Sequence, residues 1–192
     1  MTRDIERRTI DAVELRFAAD EPTKLVGHAA LFNSVSPDLG GFREQIKPGA
    51  FADSLSTDDI RALFNHDPNL ILGRNRSGTL RLAEDEQGLR IEVDPPDTQV
   101  SRDLMVSISR GDVNQMSFAF MVKPNGQTWE KASDGTALRT LTSLKLLDVA
   151  IVVYPAYPDT QVAVRSLQAW KGESKARPAI NVLRRRLDLS LL

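Results

Sequence analysis

Over much of its first half the chain alternates apolar and polar residues with the two-residue period of a half-buried strand. From Ala12 to Ala18, Val13, Leu15 and Phe17 fall on one face and charged residues on the other. Leu25 to Phe32 is a second apolar run. Gly40-Gly41 predicts a turn and Phe42 to Ile46 a short strand. Pro48-Gly49-Ala50-Phe51 reads as a helix entry, with a short helix to about Leu55. Ile60 to Asn65 predicts a strand that gives way to a turn at His66-Asp67-Pro68. Strands are expected at Thr79–Ala83 and Leu89–Val93, around an acidic turn ending in Gly88.

The period changes in the middle of the chain. Val100, Leu104, Met105 and Ile108 recur at helical spacing between Thr98 and Arg110, and Gly111 supplies a C-terminal stop. Val113 to Val122 returns to alternation, with Met116, Phe118, Phe120 and Val122 on one face and Ser117, Ala119 and Met121 on the other. Leu138 to Val153 predicts two further strands broken near Leu147. A turn at Pro155–Pro158 and a short helix from Thr160 to Trp170 follow. Many short strands around one central helix predict a β-rich α+β fold: a mostly antiparallel barrel or folded sheet surrounded by a few helices.

Residues 1–170 are expected to form one domain. Residues 171–192 form a linker, Lys171-Gly172-Glu173-Ser174-Lys175, and an apolar-basic tail with Arg184-Arg185-Arg186. A net charge of −1 argues against a chain built to coat nucleic acid. No apolar run approaches the roughly 20 residues of a membrane-spanning helix. The sequence lacks cysteine, which excludes disulfides and thiolate chemistry. His28 and His66 are its only histidines, so an imidazole base must be one of them. His28 lies inside an apolar strand and reads as a sheet-face or core residue.

His66 sits where a strand ends, a common place for a reactive group held by a rigid scaffold. Ser117 lies among large apolar neighbours, where a hydroxyl needs a partner or a task. The Gly-x-Ser-x-Gly elbow is absent around it. A serine hydroxyl is a weak nucleophile without a base, and imidazole supplies one near neutral pH. Asp148 stands in the apolar run Leu146–Val153. Such a carboxylate suits a histidine that becomes cationic, or else an arginine or an edge facing water. Asp67 is a rival, but as the neighbour of His66 in an extended segment it points the other way. Glu84-Asp85-Glu86 reads as a solvated turn.

In order, the segments Gly27-His28-Ala29-Ala30-Leu31-Phe32-Asn33, Phe42–Phe51, Phe64-Asn65-His66-Asp67 with Ile71–Arg74, Arg110-Gly111-Asp112 with Met116–Phe120, and Leu147–Ala150 with Pro155-Ala156 resemble the prohead maturation proteases of tailed bacteriophages. That family is related in fold to the herpesvirus assemblins, and the resemblance covers roughly residues 10 to 165. It implies a serine endopeptidase with Ser117 as nucleophile, His66 as base and Asp148 as third member. It implies an acyl-enzyme, no metal or cofactor, and residence in the host cytoplasm inside the assembling procapsid. The implied partners are the major capsid protein, whose scaffold segment is cut, and further copies of the protease itself. Neither nucleic acid nor membrane is implied. A catalytically inactive scaffolding or capsid-binding protein of the same fold is the alternative. Gln115 and Ala119 stand where the family often has glycine. The third position is often glutamate, so a contact from the shorter Asp148 is expected to be longer or to need a backbone shift. Ile180 to Leu192 is expected to dock on scaffold or to be removed on activation.

Overall fold

The computed structural model describes residues 5–10, 15–17, 23–154, 163 and 166–172. The strands are β1 Glu6–Ile10, β2 Arg16–Phe17, β3 Leu25–Leu31, β4 Phe42–Ile46, β5 Arg61–Phe64, β6 Asp67–Arg74, β7 Leu80–Glu84, β8 Gly88–Val93, β9 Gln115–Val122, β10 Gln127–Lys131, β11 Ala137–Leu141 and β12 Leu144–Val152. Two helices, α1 Ala52–Thr57 and α2 Gln99–Ser109, interrupt them. Residues 166–172 are also helical.

The strands form three sheets, ordered β1-β9-β12-β5-β6, β10-β11-β4 and β2-β3-β8-β7. Pairing is antiparallel except between β4 and β11 and between β5 and β12. Of the two architectures expected, barrel or folded sheet, the described residues form folded sheets with no closed barrel. The main core lies between the five-stranded and four-stranded sheets. Phe118 and Phe120 of β9 and Val149 and Ile151 of β12 meet Leu25, Leu89 and Ile91 there, with Leu104 and Ile108 of α2. Phe51 packs edge-on against Phe118, which stacks on Phe120.

The central helix follows its caps. Thr98 Oγ1 accepts from the Ser101 N–H. At the other end Gly111 takes φ +79°. Its N–H donates to Ile108 O, and the Asp112 N–H donates to Ser107 O. That pair of bonds is a Schellman ending, which needs the left-handed residue glycine supplies. The buried stripe differs from the one expected. Ser101 is buried beside Leu104 and Ile108, whereas Val100 is exposed.

Three elements depart from the expected pattern. The strand expected over Ala12–Ala18 is described only at Arg16–Phe17; Ala12–Glu14 and Ala18 lie outside the described residues. β6 runs through Pro68, where a turn was expected, because its pairing with β5 shifts register twice and the alternation is lost. The strands after Leu138 break at Thr142-Ser143, not near Leu147. Both N–H groups of that break donate to Gly126 O. The crossing is so close that a Cβ on Gly126 would sit 2.1 Å from Ser143 O, so glycine is required.

β1 and β10 carry no strong apolar alternation, yet β1 is anchored by buried charge. Glu6 and Arg8 of β1, Glu44 of β4 and Arg139 of β11 are all buried. Arg139 bridges Glu6 and Glu44 at 2.7 and 2.8 Å, and Arg8 bonds the same two carboxylates at 2.7 and 2.8 Å. The four charges balance, and they tie the five-stranded sheet to the three-stranded one. Arg8 also lies over the Phe120 ring and Arg139 over Trp129. On the same face of the three-stranded sheet as Arg139, Trp170 stacks on Trp129 and Leu167 packs with Phe42. The rest of the expected helix over Thr160–Trp170, the turn at Pro155–Pro158 and the tail from Glu173 lie outside the described residues.

Truncating one member of this cluster strands the others in a dry site. Arg139→Ala is expected to lower stability by about 3–5 kcal/mol in denaturant titration. Burial pushes the Glu6 carboxyl up, but Arg139 and Arg8 outweigh it and hold it below its usual 4.5. A carboxylate depressed in the fold stabilises above its unfolded pKa, and this contribution is lost as pH falls through the folded value. Stability measured from pH 6 downwards should therefore drop less steeply in Glu6→Gln than in the wild type.

Candidate functional site

The site is assembled on one face of the five-stranded sheet. In antiparallel register, residues directly opposite each other share a face. Ser117 of β9 lies opposite Ala150 of β12 and Thr9 of β1; Ala119 lies opposite Asp148 and Arg7. Ser117, Ala119, Asp148, Ala150, Arg7 and Thr9 therefore share the face that points away from Phe118 and Phe120.

Asp148 reaches this face through a bulge. Leu146 pairs with Phe120, on the core side, and two residues further on an unbroken ladder would turn Asp148 into the core as well. Instead the register shifts between Leu146 and Asp148, so that Leu147 is the extra residue and Asp148 meets Ala119. A bulge re-aims the side chains beyond it. The feature expected as a break near Leu147 is thus a bulge inside one continuous strand. The Leu146 N–H at its foot donates to Ser54 Oγ of α1 at 2.8 Å. Ser54, fully buried, donates in turn to Asp58 at 2.7 Å.

His66 is delivered by a tight turn. β5 and β6 are joined by Asn65-His66 alone, with Phe64 paired to Asp67. Both turn residues have positive φ, 53° and 57°. Two left-handed residues match the twist of a two-residue hairpin, and asparagine and histidine tolerate the conformation better than most. The remaining strain, of order 1–3 kcal/mol per residue, persists only where the surroundings hold it. Here the Asn65 N–H donates to Ile151 O at 2.8 Å, and Asn65 Oδ1 accepts from the Val153 N–H at 3.0 Å. Both bonds tie the turn to the end of β12. At the open end of the hairpin, Arg61 and Arg74 face each other across the strands. Asp59 lies between them and bonds both, and the Arg74 hydrogen bonds bring its carboxyl down to about 2.

The three side chains meet in a line. His66 Nδ1 lies 2.5 Å from Asp148 Oδ1, and His66 Nε2 lies 2.7 Å from Ser117 Oγ. Ser117 is wholly buried, and the His66 and Asp148 side chains are 7% and 16% exposed, so the line is largely shielded from water. The contact from the shorter aspartate is direct, with the bulge as its backbone shift. Asp67 bonds Asn69 instead. With a carboxylate on Nδ1, Nε2 is free to accept the serine proton, the arrangement that hydroxyl activation requires.

His28 is elsewhere, bonded to Asp85 at 2.8 Å on the four-stranded sheet. The acidic run is not simply solvated. Asp85 also holds its turn through the Gln87 and Gly88 N–H groups, and Glu84 accepts from the Gly49 and Phe51 N–H groups ahead of α1. Among the described residues no three His, Asp or Glu side chains converge as a metal site.

A serine, a histidine and an aspartate aligned in this way on a β-rich scaffold have the geometry that can activate a hydroxyl. The chain belongs to the caudovirus prohead serine protease family, whose model matches residues 6–173. No match was found among curated proteins or among solved structures.

The bulge makes α1 part of the site's support. Ser54→Ala would leave the buried Leu146 N–H without its acceptor, and a loss of about 1–3 kcal/mol is expected in urea unfolding. Ser54→Thr, which keeps the hydroxyl, should lose less.

Proposed function

We propose that this protein is the endopeptidase that matures a phage capsid, cutting the scaffold segment of the major capsid protein, and itself, inside the procapsid. The observation that carries the reading is the hydrogen-bond line Asp148–His66–Ser117, found in a chain of the prohead serine protease family. His66 Nε2 takes the proton as Ser117 Oγ attacks the peptide carbonyl. The resulting imidazolium is stabilised by Asp148, which also keeps the proton on Nδ1. Collapse of the tetrahedral intermediate passes the proton from His66 to the leaving amine. Water then enters, gives its proton to His66 and releases the acyl group from Ser117. Apart from substrate and water, these steps use protein groups alone.

The reading is tested by co-expressing the chain with its capsid protein. Wild type should shorten the capsid protein, and Ser117→Ala should leave it at full length. Processing that survives the substitution would remove Ser117 from the role. Asp148→Asn permits the wrong imidazole tautomer and is expected to lower kcat by about 10⁴. His66→Ala, which removes the base, should likewise leave the capsid protein at full length. Processing that survives His66→Ala would exclude His66.

A further inference from the structure

An open pocket of about 270 Å³ adjoins the site, lined by Arg7, Asn65, His66, Val152 and Tyr154. It is smaller than the roughly 300–1,000 Å³ typical of small-molecule sites, and is better matched to a side chain. Its walls differ in chemistry. Val152 and Tyr154 are apolar or aromatic, whereas Arg7 brings a cation. On β1, Arg7 lies on the same face as Ser117 and two paired positions from it, since Thr9 stands opposite the serine and Arg7 opposite Ala119.

Arg7 differs from the other arginine beside it. Arg8, on the core side of β1, has its charge met by Glu6 and Glu44. Arg7 Nε is buried without a hydrogen-bond partner, and its guanidinium pairs with no described carboxylate. Asp148, the acid on the same face, is already bonded to His66. A buried donor without a partner is costly to maintain. In a pocket beside a reactive pair, a ligand carboxylate would satisfy it, and guanidinium and carboxylate fit as a forked pair.

We infer that this pocket receives an acidic side chain of the polypeptide substrate, next to the bond that is cut, and that Arg7 selects it. The inference rests on the proposed roles of Ser117 and His66, because the pocket has meaning as a subsite only if they react. A substrate with an apolar or basic residue at this position leaves Arg7 unpaired or repelled, and a site built around such a bond rejects ligands that lack it. Val152 and Tyr154 would pack on the methylenes of a glutamate or aspartate.

The test maps cut sites when the full chain acts on a peptide library made from a digested bacterial proteome, read by mass spectrometry. Wild type, Ser117→Ala, Arg7→Gln and Arg7→Glu are compared. Cuts that disappear in Ser117→Ala should carry Asp or Glu within two residues of the broken bond, enriched at least about tenfold over background. Arg7→Gln should abolish that enrichment. Arg7→Glu should move the preference towards Lys and Arg, a gain that a misfolded chain could not produce. Ser117-dependent cuts without acidic enrichment would overturn the inference alone. So would an Arg7→Gln variant that slows every cut equally and keeps the same profile, since Arg7 would then assist the reaction without selecting the substrate. No cutting by wild type, or cutting that persists in Ser117→Ala, would overturn the protease reading and this inference with it.

Discussion

The site depends on the phase of one strand. β12 contributes Leu144, Leu146, Val149 and Ile151 to the main core, and these cannot all face inwards along a regular strand, whose side chains alternate with period two. The extra residue Leu147 resolves the conflict. It lets the two halves of β12 bury their apolar residues in opposite phase and turns Asp148 outwards to Ala119. The carboxylate beside His66 is thus set by the packing of the core, and α1 supports it through the Ser54 bond to Leu146. Strain at the Asn65-His66 turn is held in the same way, by bonds to β12 at Ile151 and Val153. Two of the three aligned side chains therefore take their positions from one strand, and the third, Ser117, is that strand's direct neighbour.

β1 extends this arrangement with charge in place of apolar area. Its inward residues Glu6 and Arg8 join Glu44 and Arg139 in a balanced buried cluster, which holds the strand against β9. The consequence on the other face is that Thr9 and Arg7 flank the serine. A strand that reads as polar in sequence thereby both bridges two sheets and presents a cation to the pocket.

The parts of the fold legible in the sequence were those whose cause is local. Leu89–Val93 shows plain alternation, and α2 shows helical spacing with Thr98 and Gly111 at its ends. The serine, the histidine and the aspartate were each legible as residues out of place: a hydroxyl among phenylalanines, an imidazole at a strand end, an acid in an apolar run. Their convergence was not, because it depends on the phase shift at Leu147 and on left-handed φ at a non-glycine residue. β1, β6 and β10 were missed for related reasons. Charged residues turned inwards in β1 look like surface, bulges in β6 erase the alternation, and β10 is paired at the edge of a small sheet with little burial of its own. Buried salt bridges between distant strands leave no periodic trace, although the run Glu6-Arg7-Arg8 beside a later isolated Arg139 is the raw material for one.

The proposed function requires that His66 make Ser117 nucleophilic. It is tested most directly by treating the full chain with a fluorophosphonate and locating the adduct by intact mass and peptide mapping. One adduct on Ser117, lost in His66→Ala and strongly slowed in Asp148→Asn, is the predicted result. An adduct on another residue, or labelling of Ser117 at an undiminished rate without His66, would contradict it.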